Sequence, residues 1–340
     1  MSKIVLKITP VDYYFFGSEN INVTTREANY YLKSTPLPQQ TTVLGAIRYA
    51  LLLNSDKSVF ENNRIVDKQK AKDLIGEKSF ELNETIFDFG SIKSLSPVFL
   101  IDKNNVKHIP CPLINTNDLF EMKTGLPFIQ KYDAKQGYHI KYTNGQDVVD
   151  EKEIFEKLVL TQNKKDKISN EDAFFKTQYY TLKGYWSFGI DLEIEDDNRL
   201  PNSFVMKMGG ENRLFMFNKT TIDTTATLNS YASPTHFVIA FMSDTYIKEY
   251  NASLFDFAII NTVPFRYLSS TVSETEKYTH RSKTDNKELK ASKLIELIEK
   301  GSIFYFKTEN QMKLFEKQIT SDYLQRAGLN HYIILTPNKN

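Results

Sequence analysis

The amino-acid sequence predicts an α+β protein. Segments with the two-residue alternation of strands are interspersed with segments of helical spacing, and some of the strands are expected to pair as hairpins. A short motif also occurs twice, in residues 210–217 and 328–335: glycine, any residue, asparagine, a basic or imidazole residue, and then an apolar strand. Each copy would end one compact unit. We therefore expect two ferredoxin-like (RRM-like) domains in tandem, with insertions and glycine-rich loops.

Residues 1–219 are expected to form the N-terminal ferredoxin-like domain. Its predicted elements are a strand at 3–9, a helix from about 42 to 54, strands at about 97–101, 174–182 and 185–194, and a closing strand at 214–218. Residues 56–84 mix basic and acidic side chains, which indicates a solvated helical insertion.

The helix predicted after Gln39 is a candidate anion site. Pro36 and Pro38 disfavour helix before it, and either Thr41 or Thr42 can cap its first turn. The first turn of a helix leaves backbone N–H groups unpaired, which favours phosphate when a basic side chain is close. Arg48, on the flank of the apolar stripe, is the candidate for that side chain. The alternative is an ordinary capped helix with a solvent-facing arginine.

Residues 220–340 are expected to form the C-terminal ferredoxin-like domain. Its predicted elements are strands near 236–242, 255–261, 302–306 and 332–336, and helices over Leu289–Glu299 and 310–320. Residues 272–293 contain few sizeable apolar groups, which predicts a mobile loop.

Composition excludes RNA binding through bulk charge alone. The chain of 340 residues has 43 Lys and Arg against 42 Asp and Glu, a net charge of +1. Any binding must then be local, and the 19 Tyr and 24 Phe include candidates for stacking on unpaired bases. With Cys111 as the single cysteine, no signal-peptide pattern and no long apolar run, we expect a reduced, cytoplasmic setting.

Two segments carry the residue types of a single-stranded RNA site. Residues 173–191 are predicted to form a hairpin in which Phe and Tyr alternate with basic and amide side chains. In the loop Gly209–Arg213, two glycines allow close approach of a ligand backbone, and Arg213 offers a planar fork to a phosphate or a base edge. Glu211 would accept from a base amine or brace the arginine. The structural alternative for the hairpin is a sheet half-buried under insertions, and for the glycine loop it is a tight turn before a strand.

These motifs together resemble a known family. The turn TPVDYYFFG, the segment PLPQQTTVLGAIRYALL, the loop MGGENR and the strand KGSIFYF are similar to those of the RAMP-superfamily subunit of type III-B (Cmr) CRISPR effector complexes. A second loop with paired glycines, expected near the C-terminus, has only Gly328 here. Residues 55–170 carry little of the resemblance.

The resemblance implies a non-catalytic subunit that holds the 5′ tag of the guide RNA (crRNA). It further implies that this subunit bridges the Cas10-type large subunit to the backbone RAMP subunit. The hairpin at 173–191 would reach toward the guide. The residues we expect to contact RNA are Gln39, Gln40, Thr41, Thr42, Arg48, Lys176, Gln178, Tyr179, Tyr180, Lys183, Gly209, Gly210, Asn212 and Arg213.

A catalytic or metal site lacks a basis in the sequence, and no cofactor is expected. The five histidines are scattered, without an i, i+4 pair. Three alternatives stay open: a guide-processing endoribonuclease with His331 as acid or base, the equivalent subunit of another type III subtype, and a protein-only scaffold in which Arg48 and Arg213 face acidic partners.

Overall fold

The computed structural model describes residues 1–17, 31–111, 140–165, 172–222, 236–273 and 290–337. In the first part of the chain the strands are β1 (Ser2–Pro10), β2 (Tyr31–Leu32), β3 (Phe60–Glu61), β4 (Arg64–Ile65), β5 (Ile92–Leu95), β6 (Phe99–Ile101), β7 (Lys107–Cys111), β8 (Lys141–Thr143), β9 (Val148–Asp150), β10 (Phe155–Lys165), β11 (Asp172–Leu182), β12 (Ser187–Ile194), β13 (Ser203–Lys207) and β14 (Leu214–Thr220). The helices of this part are α1 (Gln40–Leu53), α2 (Lys68–Ile75) and α3 (Glu151–Ile154).

In the second part the strands are β15 (Phe237–Phe241), β16 (Phe257–Ile259), β17 (Thr262–Phe265), β18 (Leu268–Ser269), β19 (Lys290–Ala291), β20 (Ile295–Ile298), β21 (Ile303–Phe306) and β22 (Tyr332–Leu335). Its helices are α4 (Glu309–Ile319) and α5 (Asp322–Arg326). The prediction of an α+β protein is confirmed, since antiparallel sheets dominate and helices are few.

A nine-stranded antiparallel sheet organises the first part. Its order is β13-β14-β1-β12-β6-β7-β8-β9, and β5 also pairs with β12. The inward side chains of β1 and β14, among them Leu6, Ile8 and Phe217, share one core with Val43 and Ile47 of α1. Alternation along these strands therefore decides which face is buried.

The second part is built on a four-stranded sheet of order β16-β21-β15-β22. Phe241, Phe304 and Phe306 cover one face and pack with Phe315 and Ile319 of α4. Thr308 caps α4, because its side chain accepts a hydrogen bond from Gln311 N.

Contacts between the two parts are extensive. The side chain of Gln40 donates to Ser96 O at 2.7 Å and accepts from Val98 N at 3.3 Å. Gly328, with φ +84°, lies so close to the Gln40 amide that a Cβ atom there would overlap it. Further along, Arg326 Nε donates to Lys93 O at 2.9 Å.

Three local predictions were wrong. β11 forms its hairpin with β10 and not with β12, which lies in the middle of the large sheet. The described part of the predicted helix Leu289–Glu299 contains strands β19 and β20 instead. Gln39 and not a threonine occupies the N-cap of α1, without a side-chain cap.

In the predicted solvated insertion 56–84 the one helix is α2, and most of the predicted mobile loop, residues 274–289, lies outside the described residues.

Among the helices in the described ranges, none combines the length and apolar composition needed to cross a lipid bilayer.

Arg48 lies inside the protein, although the sequence pattern placed it at a flank. It is 5% exposed, its Nε donates to Ile75 O at 2.9 Å, and its guanidinium lies 5.5 Å from the centre of the Phe89 ring. The contact joins α1 to the end of α2. We therefore leave Arg48 out of the RNA contacts proposed below.

We predict that Arg48→Ala destabilises the fold. The substitution leaves Ile75 O without this donor, and a buried polar group without its partner costs about 1–3 kcal/mol. Urea unfolding followed by circular dichroism should show a decrease of that size. The exposed Arg64→Ala should change the free energy of unfolding by less than about 0.5 kcal/mol. Equal unfolding midpoints for the two variants would contradict a structural role for Arg48.

Candidate nucleic-acid interface

An aromatic loop, Tyr13–Gly17, follows β1 and holds the candidate site together. The N–H and C=O of Tyr14 pair with those of Tyr180 in β11, at 2.8 and 3.0 Å. Phe16 N donates to Ser34 Oγ at 2.9 Å, and Phe16 O accepts from Thr35 N at 2.8 Å. Two separate chain segments, β11 and residues 34–35, are thereby held at fixed positions around the loop.

The glycine loop, residues 209–213, is the third segment against this loop. Gly210 N donates to Phe15 O at 2.8 Å. Gly209 has φ +75°, and a Cβ atom there would come within 2.6 Å of Phe15 O and 2.8 Å of the Phe16 ring. Glycine is thus required at 209 both by the backbone conformation and by the space available.

Two consecutive residues of the glycine loop have left-handed backbones without being glycine. Glu211 has φ 57° and Asn212 has φ 55°. Asparagine tolerates this conformation, whereas for glutamate it is uncommon and costs free energy. The Glu211 carboxylate is held by Tyr179, whose hydroxyl lies 2.9 and 2.8 Å from its two oxygens. This contact fixes a strained loop at the surface of the protein.

Arg213 completes the cluster. Its Nη2 donates to Glu211 at 3.1 Å, its Nη1 lies 4.0 Å from an Asp12 carboxylate oxygen, and its guanidinium lies 5.1 Å from the centre of the Tyr179 ring. The Arg213 side chain remains 29% exposed. Glu211 is therefore the brace for the arginine, one of the two roles predicted for it.

Burial raises the pKa of the Tyr179 hydroxyl, and the bond to Glu211 adds to this effect. The phenol stays protonated at neutral pH and can donate to the carboxylate throughout. A hydrogen bond to an ionised acceptor is stronger than one between neutral groups. The orientation of Glu211, and through it that of Arg213, is thereby fixed without any ligand.

The predicted residues of β11 differ in accessibility. Lys176 is exposed, Gln178 is half-buried and donates to Ser34 O at 3.4 Å, and Lys183 Nζ is 2.8 Å from Lys152 O. Tyr179 and Tyr180 are 0% and 4% exposed. Their rings belong to the core, so we do not retain them as stacking platforms for bases.

The predicted residues at the start of α1 lie in a second cluster, beside a shallow pocket. Gln40 lines the pocket together with Asp244, Lys300 and Gly328, whereas Gln39, Thr41 and Thr42 are half-buried on the first turn. Residues 34–37 connect this cluster to the aromatic loop, since Tyr14 Oη donates to Pro36 O at 2.8 Å. The structure thus groups the predicted residues into two neighbouring sets, with Arg48 apart from both.

Sequence reasoning missed the ion pair in this pocket. Lys300 Nζ lies 3.0 Å from Asp244 Oδ1, and the Lys300 N–H donates to the same oxygen. Burial lowers the pKa of Lys300, but Asp244 and Glu299 outweigh that effect and raise it. The residues are 56 positions apart, and no local pattern in the sequence points to such a pair.

His331, the one candidate acid or base, is half-buried. Its Nε2 lies 2.7 Å from Gln325 O, and burial lowers its pKa, so the neutral form is favoured at neutral pH. The structure groups no three metal-ligating side chains in the described residues.

Comparisons with known proteins place the chain in a family. A family model described as CRISPR-associated protein (Cas_Cmr3) matches residues 6–124 and 141–337. None of the curated protein sequences matches the chain.

Two solved structures share the fold. A chain in the cryo-EM structure of the type III-B Cmr-beta complex bound to cognate target RNA aligns with a TM-score of 0.50 at 15% identity, over 98% of this chain and 96% of its own length. A chain in the same complex bound to cognate target RNA and AMPPnP, state 1, aligns with a TM-score of 0.53 at 14% identity, over the same shares. The family match covers most of the sequence, including the aromatic loop and the glycine loop, and so the chain belongs to the Cas_Cmr3 family of CRISPR-associated proteins.

Proposed function

We propose that this protein is a non-catalytic crRNA-binding subunit of a cytoplasmic type III-B CRISPR effector complex. In this proposal it belongs to the RAMP superfamily, holds the 5′ tag of the guide RNA, and bridges the Cas10-type large subunit to the backbone RAMP subunits. Family membership supports the assignment to a CRISPR system. The observation that carries the RNA role is the braced Arg213 on the glycine loop.

The glycine loop suits a short RNA segment for a geometric reason. Gly209 and Gly210 pack directly against Phe15, where a Cβ atom would overlap it, and this fixes the position of the loop backbone. Arg213 is fixed and part-exposed beside them, and its guanidinium is planar and matches a phosphate or a guanine edge. Carboxylates at Asp12 and Glu211 disfavour a run of several phosphates at this loop. We infer that it holds one or two nucleotides.

The strand orders support two ferredoxin-like units in tandem. In the large sheet β1 and β12 are adjacent, with β14 beyond β1 and with β5 and β6 beyond β12. In the second sheet β15 and β21 are adjacent, with β22 beyond β15 and β16 beyond β21. Each unit thus pairs its first and third strands centrally, as a βαββαβ unit does. We place the boundary at 219/220, immediately before the last residue of β14.

We predict that Arg213 contributes to tag binding more than to folding. Loss of a hydrogen bond to a charged group costs about 1.5–3 kcal/mol, so Arg213→Ala should weaken binding of a tag-bearing guide by at least about tenfold. Arg213→Lys keeps the positive charge and loses the planar guanidinium, so its affinity for the guide should lie between those of the wild type and Arg213→Ala.

The matched control for this prediction is Arg199→Ala. Arg199 is also a half-exposed arginine beside a carboxylate, that of Glu195, at 3.7 Å. Fluorescence anisotropy with the labelled guide gives affinity, and thermal unfolding gives stability. A protein-only scaffold predicts the opposite pattern, in which Arg213→Ala leaves RNA affinity unchanged and weakens assembly with protein subunits.

We predict that recognition depends on the tag and not on the spacer. With a net charge of +1, the chain lacks the excess of basic residues of an extended phosphate channel. Scrambling tag bases should reduce incorporation of this subunit into the complex, whereas scrambling a spacer of constant length should not. Quantitative native mass spectrometry of the assembled complexes measures both. Equal incorporation on intact and scrambled tags would remove the proposed role.

We predict that the purified subunit does not cleave RNA. The proposed function assigns only binding roles to the residues of this chain, and the half-buried His331 ring is hydrogen-bonded to the backbone carbonyl of Gln325. Repeat-containing and guide RNAs should stay intact on denaturing gels, with Mg²⁺ or with EDTA, for the wild-type chain and for His331→Ala. Cleavage by the wild type that is lost in His331→Ala would establish the endoribonuclease alternative.

A further inference from the structure

Four aliphatic side chains form a continuous exposed patch on the outer face of the large sheet. They are Val11, Val205, Leu214 and Met216, with exposed fractions of 60%, 51%, 44% and 42%. Val205 lies opposite Met216 in the pairing of β13 with β14, and Val11 N donates to Leu214 O at 3.0 Å. We call these four residues the aliphatic patch.

The alternation of the strands shows that the outer face departs from the usual pattern at this point. Met206, Phe215 and Phe217 point inward and are buried, so Val205, Leu214 and Met216 must point outward. A solvated face of an antiparallel sheet normally carries polar residues at such positions. A contiguous exposed apolar patch marks an interaction site.

The patch ends at a free sheet edge. β13 pairs with β14 on one side, and no strand in the described ranges pairs with its other side. The outward backbone groups of Ser203–Lys207 can therefore accept a further strand, as in β-strand addition. Such an added strand would extend the sheet directly beside Val205, with Met216 and Leu214 one strand further away and Val11 two. The rest of the partner would then have to pack over these residues.

The charged side chains that point outward from β1, β13 and β14 are all positive. Three lysines and no aspartate or glutamate point outward from β1, β13 and β14, since the fourth lysine, Lys219, lies opposite buried Leu6 on the other face. Lys3 and Lys207 are exposed, and Lys7 is half-buried. An acidic segment is thus a better electrostatic match for these three strands than a basic one.

RNA is also negatively charged, but it fits this surface poorly. Unpaired bases are held by stacking on aromatic rings. The side chains that point outward from the three strands at and around the patch include no aromatic ring: Lys3, Val5, Lys7, Thr9, Ser203, Val205, Lys207, Leu214, Met216 and Asn218. Aliphatic groups and an open strand edge suit a polypeptide instead.

We propose that an extended, acidic-apolar segment of another protein subunit of the effector complex adds to β13, and that the same subunit packs over the aliphatic patch. This inference rests on the proposed membership of the complex and not on the tag-binding role. Arg213 directly precedes Leu214, so the added strand would end beside the glycine loop. Protein docking and RNA contact would then occur on adjacent parts of one sheet.

The test uses Val205→Glu combined with Met216→Glu in the full chain. Glutamates there would repel an acidic strand and remove two apolar anchors, so incorporation into the complex reconstituted from its other subunits and guide should fall at least about tenfold. The control is Val66→Glu combined with Ile86→Glu, two exposed aliphatic residues elsewhere, at 59% and 74%. Circular dichroism and thermal unfolding confirm that both double variants are folded.

A second readout does not depend on substitution. In the wild-type chain, hydrogen–deuterium exchange of the amides of residues 203–207 should slow on assembly with the protein subunits, and guide RNA alone should not slow it. Normal incorporation of the patch variant, with unchanged exchange at 203–207, would overturn the proposal. Loss of guide affinity by the isolated patch variant, with normal protein assembly, would overturn it in favour of an RNA surface. If the patch variant fails to assemble while scrambled tags are tolerated, the docking site stands and the tag-binding role fails.

Discussion

The candidate site depends on the backbone of the aromatic loop. Tyr14, Phe15 and Phe16 each use main-chain groups to bind a different segment: β11, the glycine loop and residues 34–35. These backbone hydrogen bonds link the loop to all three segments, so a shift of any one segment would break a bond that the loop makes to it. The Tyr14 and Phe16 rings then pack on Phe215 of β14. One short loop thus determines where the glycine loop lies relative to the large sheet.

A strained loop with a pre-braced arginine is consistent with a ligand that must be bound in one register. Glu211 and Asn212 hold left-handed conformations, and the Tyr179 hydroxyl and Arg213 both bind the Glu211 carboxylate. Because the arginine is already oriented, little side-chain entropy remains to be lost on binding. The two nearby carboxylates limit how much negative charge the loop accepts. The proposed division follows: a local RNA contact at the glycine loop, and protein contacts on the adjacent strands.

Local structure was predicted well from patterns within one segment, whereas contacts between distant segments were not. The strands β1 and β14 and the helix α4 follow from alternation or helical spacing that each segment carries itself. The pairing partner of β11 could not be derived in this way, because β10 and β12 both have strand character. β12 is buried on nearly every residue, which requires a central position between two other strands and leaves β10 for the hairpin. The burial of Arg48 against Ile75, and the pairing of Lys300 with Asp244, depend on tertiary contacts that sequence spacing does not reveal.

Photo-crosslinking in the assembled complex tests the central claim most directly. 4-Thiouridine is introduced one position at a time through the tag and the first part of the spacer, and crosslinked peptides of this subunit are identified by mass spectrometry. We expect crosslinks from tag positions to peptides that contain Gly209–Arg213, and none to those peptides from spacer positions. Crosslinks from the spacer alone, or none from any tag position to this subunit, would contradict an RNA site at the glycine loop.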